Sequence, residues 1–348
     1  VLRGEGEEVF EPHFTYHGFR YVEVTGFPGT PALNNITGIV FHTDNPFTGT
    51  FTSSSEMVNH LWRNIRWGQR GNLESIPTDC PQRDERLGWM ADAQIFWRTA
   101  SFNMNMAAFT EKFMRDAIDA QGANGAFSDV SPRIVDPADG APAWGDAGVI
   151  IPWTAWRQYG DTRLIETSWA AMGKWMGYIR SANPGLLRRN KLNNNFGDWV
   201  PANSTTPKDL IATAYWAYDA HLMAQMAEAT GKSDDAARYR KLHDDIKAAF
   251  IREYVQADGV VGNGSQTCYA LALHFHLLPE DLYKPAMEKL VEDIKSRDWH
   301  LSTGFVGTPY LMQALSENSR DDVAYRLLLN DTYPSWGYMI KKGATTMW

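Results

Sequence analysis

The feature that most constrains this chain is a change of hydrophobic period near Ser54. Before that point apolar residues alternate in short runs, and after it they recur at helical spacing. Ile165, Trp169, Met172, Met176 and Ile179 follow one another at steps of four, three, four and three, the signature of one buried helical face. Thr206 and Pro207 offer an N-cap and an N1 proline for a helix through Ile211, Tyr215, Tyr218 and Leu222 that ends at Gly231. Ser233 opens the next, with Tyr239, Leu242, Ile246 and Ala249 inward. A first helix starts within Ser54 to Glu56, and a long one is expected from about Leu87 into Phe109 and Phe113. Others are expected near 266–277, 280–297, 306–317 and 320–329. This gives about ten helices in five successive pairs, joined by long loops rich in Gly, Pro and Asn at 121–144, 183–206 and 257–265. Loops of that length in a compact domain are usually functional. The expected fold is therefore mainly α, a closed α/α barrel over residues 51–348 with its site at one end.

Residues 1–50 read differently. Phe14 to Tyr16 and Phe19 to Val24 flank His17-Gly18 as a tight hairpin, and Ile36 to His42 forms a further strand. Three short strands cannot close a core, so this segment is expected to be the C-terminal part of a β-sandwich whose earlier strands lie upstream of Val1.

With 44% hydrophobic and 21% charged residues the 348-residue chain can bury a large core. A net charge of -8 without a basic run argues against nucleic acid, and no apolar stretch is long enough to span a membrane. Cys80 and Cys268 make neither a disulfide framework nor a metal spacing, and both are read as reduced. No motif for a nucleotide, dinucleotide, zinc protease or serine hydrolase is present, so neither metal nor cofactor is expected. Fourteen tryptophans are an unusual number, and indole faces suit sugar rings as well as cores.

The stretch Pro77 to Gln94 gathers Asp79, Asp84, Glu85 and Asp92 with Arg83, Arg86 and Trp89. If its helix already covers Glu85, then Glu85, Trp89 and Asp92 share one face. An apolar neighbour and like charges would raise the Glu85 pKa, as a general acid requires. Asp79 and Asp92 would then bind hydroxyls and Arg83 would donate. Trp144-Gly145-Asp146 and Gly197-Asp198-Trp199 are two further Trp/Asp pairs in long loops, with Asp136 in the loop of the first. A carboxylate accepting two hydroxyls beside an indole covering a ring face fits a sugar pocket. The alternative at each place is structural: an ion-pair network in the first stretch, a capping Asp beside a core Trp in the others.

Together, DCPQRDERLGWMADAQ at 79–94, WGDAG at 144–148, GDW at 197–199 and PSWGYMIKKGATTMW at 334–348 resemble the bacterial α-L-rhamnosidases of glycoside hydrolase family 78. GFRYVEVTG at 18–26 is similar to the end of the β-sandwich that precedes that family's catalytic domain. The resemblance implies an (α/α)6 barrel and hydrolysis of terminal, non-reducing α-L-rhamnose with inversion. Glu85 matches the family's general acid, and Asp79, Arg83, Trp89 and Asp92 match pocket residues, as do Asp136 and Trp144. The base would be a Glu directly after the GATTxW motif. The chain is thus expected to be a fragment whose last helix pair, with the base, lies beyond Trp348. Two other readings remain open: a sugar-binding protein without catalysis on the same toroid, or a glycosidase or lyase acting on another sugar.

Overall fold

The computed structural model describes residues 6–134 and 139–348. Among them are twelve α-helices: α1 (Glu56–Gly71), α2 (Met90–Asn103), α3 (Ala107–Asp119), α4 (Ala147–Tyr159), α5 (Arg163–Ala182), α6 (Lys208–Ala229), α7 (Ser233–Tyr254), α8 (Gln266–His274), α9 (Tyr283–Ser296), α10 (Thr308–Glu317), α11 (Asp321–Leu328) and α12 (Trp336–Lys341). Helices α2, α4, α6, α8 and α10 touch in succession as an inner layer, with α5, α7, α9 and α11 packed outside α4, α6, α8 and α10. The last helix, α12, packs on the first.

The burial pattern of each helix explains its place. Helix α6 buries residues on every face, from Leu210 to Ala227, as an inner helix wrapped by neighbours must. Helix α7 buries only Ala236, Tyr239, Ile246, Ala249, Phe250 and Tyr254, a single stripe facing α6. None of the described helices is long and apolar enough to cross a membrane.

Three local expectations are corrected. The segments 14–16, 19–24 and 36–42 form no ladder among the described residues, and Phe14, Tyr21 and Val40 are exposed. An extended segment becomes a strand only when a neighbour takes its hydrogen bonds; here the paired strands are β1 (Leu73–Glu74) and β2 (Ile76–Pro77). The expected 87–113 helix is two helices. Met104 leaves the helical region to bridge Phe47, and Asn105 N–H donates to Pro46 O at 2.8 Å, so residues 46–48 pull the chain out of helix at that point. Thr206 does not cap α6, because its hydroxyl is bonded to Ser265 Oγ at 2.8 Å.

Candidate functional site

The stretch around Glu85 is a folded-back loop, so the helix does not cover Glu85. Asp79 bridges Leu87, Trp89 bridges Val130, and α2 begins only at Met90. Backbone bonds from Met90 N–H to Asp129 O and from Ser131 N–H to Gly88 O fix this loop to the segment 129–131. Arg86 ties it to the N-terminal segment, lying over the Tyr16 ring at 4.2 Å and donating to Tyr16 O at 2.9 Å.

Within this loop the Trp89 indole N–H donates to Glu85 Oε1 at 2.8 Å, and Arg83 Nε donates to Oε2 at 2.9 Å. The expected rise in the Glu85 pKa does not occur. Burial pushes it up, but the bonds from Trp89 and Arg83 and the Arg83 charge outweigh this and hold it below its ordinary value. The raised groups are its neighbours. Burial lifts Asp79, with the Glu85 charge adding to it against the Cys80 N–H. Asp92 is pushed up to about 8 by burial and by Asp79, which outweigh its place in the first turn of α2. Asp129, absent from the sequence reading, is pushed up to about 7, chiefly by burial.

Asp79, Cys80 and Glu85 bring three possible metal-ligating atoms within 4.8 Å of one another. Two features disfavour an ion there. Burial and both carboxylates push the Cys80 thiol up to about 11, which keeps it protonated, and Glu85 is already engaged by Arg83.

An aromatic wall stands beside these carboxylates. Phe196 is at its centre, with ring centroids 5.9 Å from Trp89, 4.4 Å from Trp144 and 5.9 Å from Trp199, and Phe305 lies 5.8 Å from Trp144. The Trp144 indole N–H is buried and has no partner in the protein. Phe196 and Phe305 were not read from the sequence, although Phe196 directly precedes the Gly197-Asp198-Trp199 motif. Trp199 is 53% exposed at the edge of the wall.

Asp146 and Asp198 do not join the site surface. Asp146 is fully buried, accepting Arg188 Nη1 at 3.1 and 3.2 Å, Trp175 Nε1 at 3.1 Å and Ala143 N–H at 2.6 Å. Gly145 is glycine because a Cβ would lie 2.4 Å from the Trp175 ring. Asp198 accepts the N–H groups of Gly304, Val306 and Gly307 at 2.8, 3.0 and 2.9 Å, as well as the Thr267 hydroxyl. Both carboxylates were expected to face a sugar; with so many donors supplied by the chain, they brace the loops instead. Gly304 permits this closeness, since a Cβ there would meet Trp199 O at 2.5 Å. Asp136 lies outside the described residues.

The pieces therefore gather at the N-terminal ends of the inner helices: Trp89 before α2, Trp144 before α4, Phe196 and Trp199 before α6, and Phe305 before α10. Comparison with known proteins identifies the fold's relatives. Residues 46–348 match the model of the bacterial alpha-L-rhamnosidase 6 hairpin glycosidase domain, and residues 1–42 that of the bacterial alpha-L-rhamnosidase concanavalin-like domain. Alpha-L-rhamnosidases of Streptomyces avermitilis and Formosa agariphila are 49% and 40% identical, each covering 100% of this chain, which spans 33% and 38% of their lengths. The crystal structure of the Streptomyces avermitilis alpha-L-rhamnosidase complexed with L-rhamnose superposes with a TM-score of 0.96 over 100% of this chain and 33% of its own. An alpha-L-rhamnosidase from Dictyoglumus thermophilum, 40% identical, superposes at 0.93 over 97% of this chain and 39% of its own. The chain belongs to the bacterial alpha-L-rhamnosidase six-hairpin glycosidase family.

Proposed function

We propose that this chain carries the sugar pocket and the proton donor of an inverting α-L-rhamnosidase, acting on terminal α-L-rhamnose of a glycoside or polysaccharide. The observation that carries the reading is the Glu85 carboxyl, held by Trp89, beside the wall of Trp89, Phe196 and Trp144. The aromatic faces cover the apolar side of a deoxysugar, while Asp79 and Asp92 bind hydroxyls. Glu85 protonates the leaving oxygen. The Arg83 contact must loosen when substrate binds, because an ionised Glu85 cannot do this. The second carboxylate of an inverting pair sits about 6.5–9.5 Å from the first, on the opposite ring face.

Calorimetry with L-rhamnose and hydrolysis of p-nitrophenyl α-L-rhamnopyranoside test the proposal, and a folded chain that neither binds nor hydrolyses refutes it. Binding without hydrolysis supports the second reading, a sugar-binding module, which the lowered Glu85 pKa favours.

A further inference from the structure

The aromatic wall has a free end. Trp144, 4% exposed, belongs to the buried core, and Trp89, Phe196 and Phe305 pack against that core, whereas Trp199 stands 53% exposed beyond them. Its ring meets Phe196 edge to face, at 81°, so the wall turns through nearly a right angle there. A group stacked on Trp199 is therefore not the ring that lies against Phe196. We infer that Trp199, with Val200, is the platform for the leaving group and gives the site a preference for an aromatic one. This rests on the rhamnosidase reading above.

The direction follows from the chemistry. A site that removes a terminal sugar takes that sugar in first, so the glycosidic oxygen and everything beyond it face the mouth. The wall runs the same way, from buried Trp144 through Phe196 to exposed Trp199. Glu85, the proton donor to that oxygen, is bonded to Trp89, which contacts the same Phe196 ring that Trp199 does. Trp199 precedes α6, the middle helix of the inner layer, with α2 and α4 on one side and α8 and α10 on the other. Its exposure does not come from an edge of that layer.

The platform is held rigid. Trp199 O accepts the Phe305 N–H at 2.8 Å, and the neighbouring Asp198 carboxylate is fixed by its four donors. Val200 is 75% exposed and sits at φ 52°, the left-handed region that a β-branched residue rarely enters. Such a conformation persists only where the surroundings impose it, and here the Asp198 brace does so. A preformed apolar surface loses little freedom on binding. The run Trp199-Val200-Pro201-Ala202 has a single polar side-chain atom, the Trp199 indole nitrogen. A leaving sugar would find one side-chain donor there for all its hydroxyls, whereas an aryl ring needs only the indole face and the Val200 methyls.

The test is calorimetry on the chain with L-rhamnose, the methyl and phenyl thio-α-L-rhamnopyranosides, whose sulfur resists hydrolysis, and a rhamnosyl-glucose disaccharide. It is repeated on Trp199→Ala and Trp199→Phe. The phenyl thioglycoside should bind the native chain about tenfold more tightly than the methyl one. That ratio should fall close to one in Trp199→Ala and be largely restored in Trp199→Phe, which keeps an aromatic face and carries the test if Trp199→Ala melts early. A ratio near one in the native chain, or an unchanged ratio in Trp199→Ala, overturns the inference. Tighter binding of the disaccharide than of the phenyl thioglycoside overturns it too, because the platform would then favour a sugar. If the native chain binds L-rhamnose while the ratio is near one, this inference falls and the sugar pocket stands; if it binds no rhamnoside at all, both fall.

Discussion

Replacing Asp219 by Asn should make the fold less sensitive to pH. Asp219 is fully buried in α6, and its Oδ2 accepts the Trp175 indole N–H at 2.9 Å. The same indole is 3.1 Å from Asp146 Oδ1, while Asp219 Oδ1 faces no donor. Two buried carboxyls against one buried Arg188 cannot both be ionised. Burial first, then Asp146, raise the Asp219 pKa well above its ordinary value, and a proton on Asp219 shared with Asp146 supplies the missing bond. The sign follows from linkage. The folded pKa exceeds the unfolded one, so this contribution is fully present below the unfolded pKa of roughly 3.9 and is lost as pH rises towards the folded value. Between the two, the native chain should lose about 1.4 kcal/mol of stability per pH unit relative to Asp219→Asn, whose amide donates to Asp146 without titrating. Asp146→Asn has the opposite character: it strands a buried Arg188 and should cost about 3–5 kcal/mol. Urea unfolding followed by tryptophan fluorescence from pH 4 to 6 measures both. Equal slopes for the native chain and Asp219→Asn would show that Asp219 is ionised in the fold and refute the reasoning.

Glu85→Gln should keep L-rhamnose binding and lower hydrolysis by roughly 10²–10⁴ in any assembly that hydrolyses. The loss should be larger for poor leaving groups than for p-nitrophenol. Arg83→Gln should raise the Glu85 pKa towards its ordinary value by removing an ion pair and two donor contacts. Carbon-13 NMR of the Glu85 carboxyl reads the midpoint, and no upward shift would contradict the pairing described. Phe196→Ala opens the centre of the aromatic wall and should weaken L-rhamnose binding about tenfold, measured by calorimetry. Asp198→Ala leaves three buried N–H groups unpaired and should destabilise the fold by at least about 3 kcal/mol in urea unfolding.

What the sequence disclosed depended on how far each cause lies along the chain. The faces of α5 and α7 were legible because helical burial repeats within a turn or two. The break between α2 and α3 was not, since Phe47 and Pro46, more than fifty residues away, impose it. The contact between Glu85 and Trp89 was expected from helical spacing and is present, but on a folded-back loop, so the right pair came from the wrong backbone. The direction of the Glu85 pKa was missed for a related reason. Its value depends on which atom of Trp89 points at the carboxylate, and the donating edge does so where an apolar face was assumed. The Trp/Asp pairs divide in three dimensions: Trp144 and Trp199 reach the wall, while Asp146 and Asp198 turn inward to partners that include Arg188 and Gly304, 42 and 106 residues away.

The Asp198 brace also dictates an order of events. Its donors come from Thr267 and from residues 304–307, so the carboxylate is emitted into the growing chain 69 residues before the first partner and 109 before the last. A contact of such sequence separation forms late, because a long loop must close first. Until α8 and the turn before α10 arrive, Phe196 and Trp199 have no fixed floor, and Phe305 cannot meet Trp144. The aromatic wall is therefore a timer as well as a surface: nascent chains released before residue 307 should hold most of their helices yet fail to retain the sugar, and ribosome-stalled intermediates of increasing length should gain binding in one step.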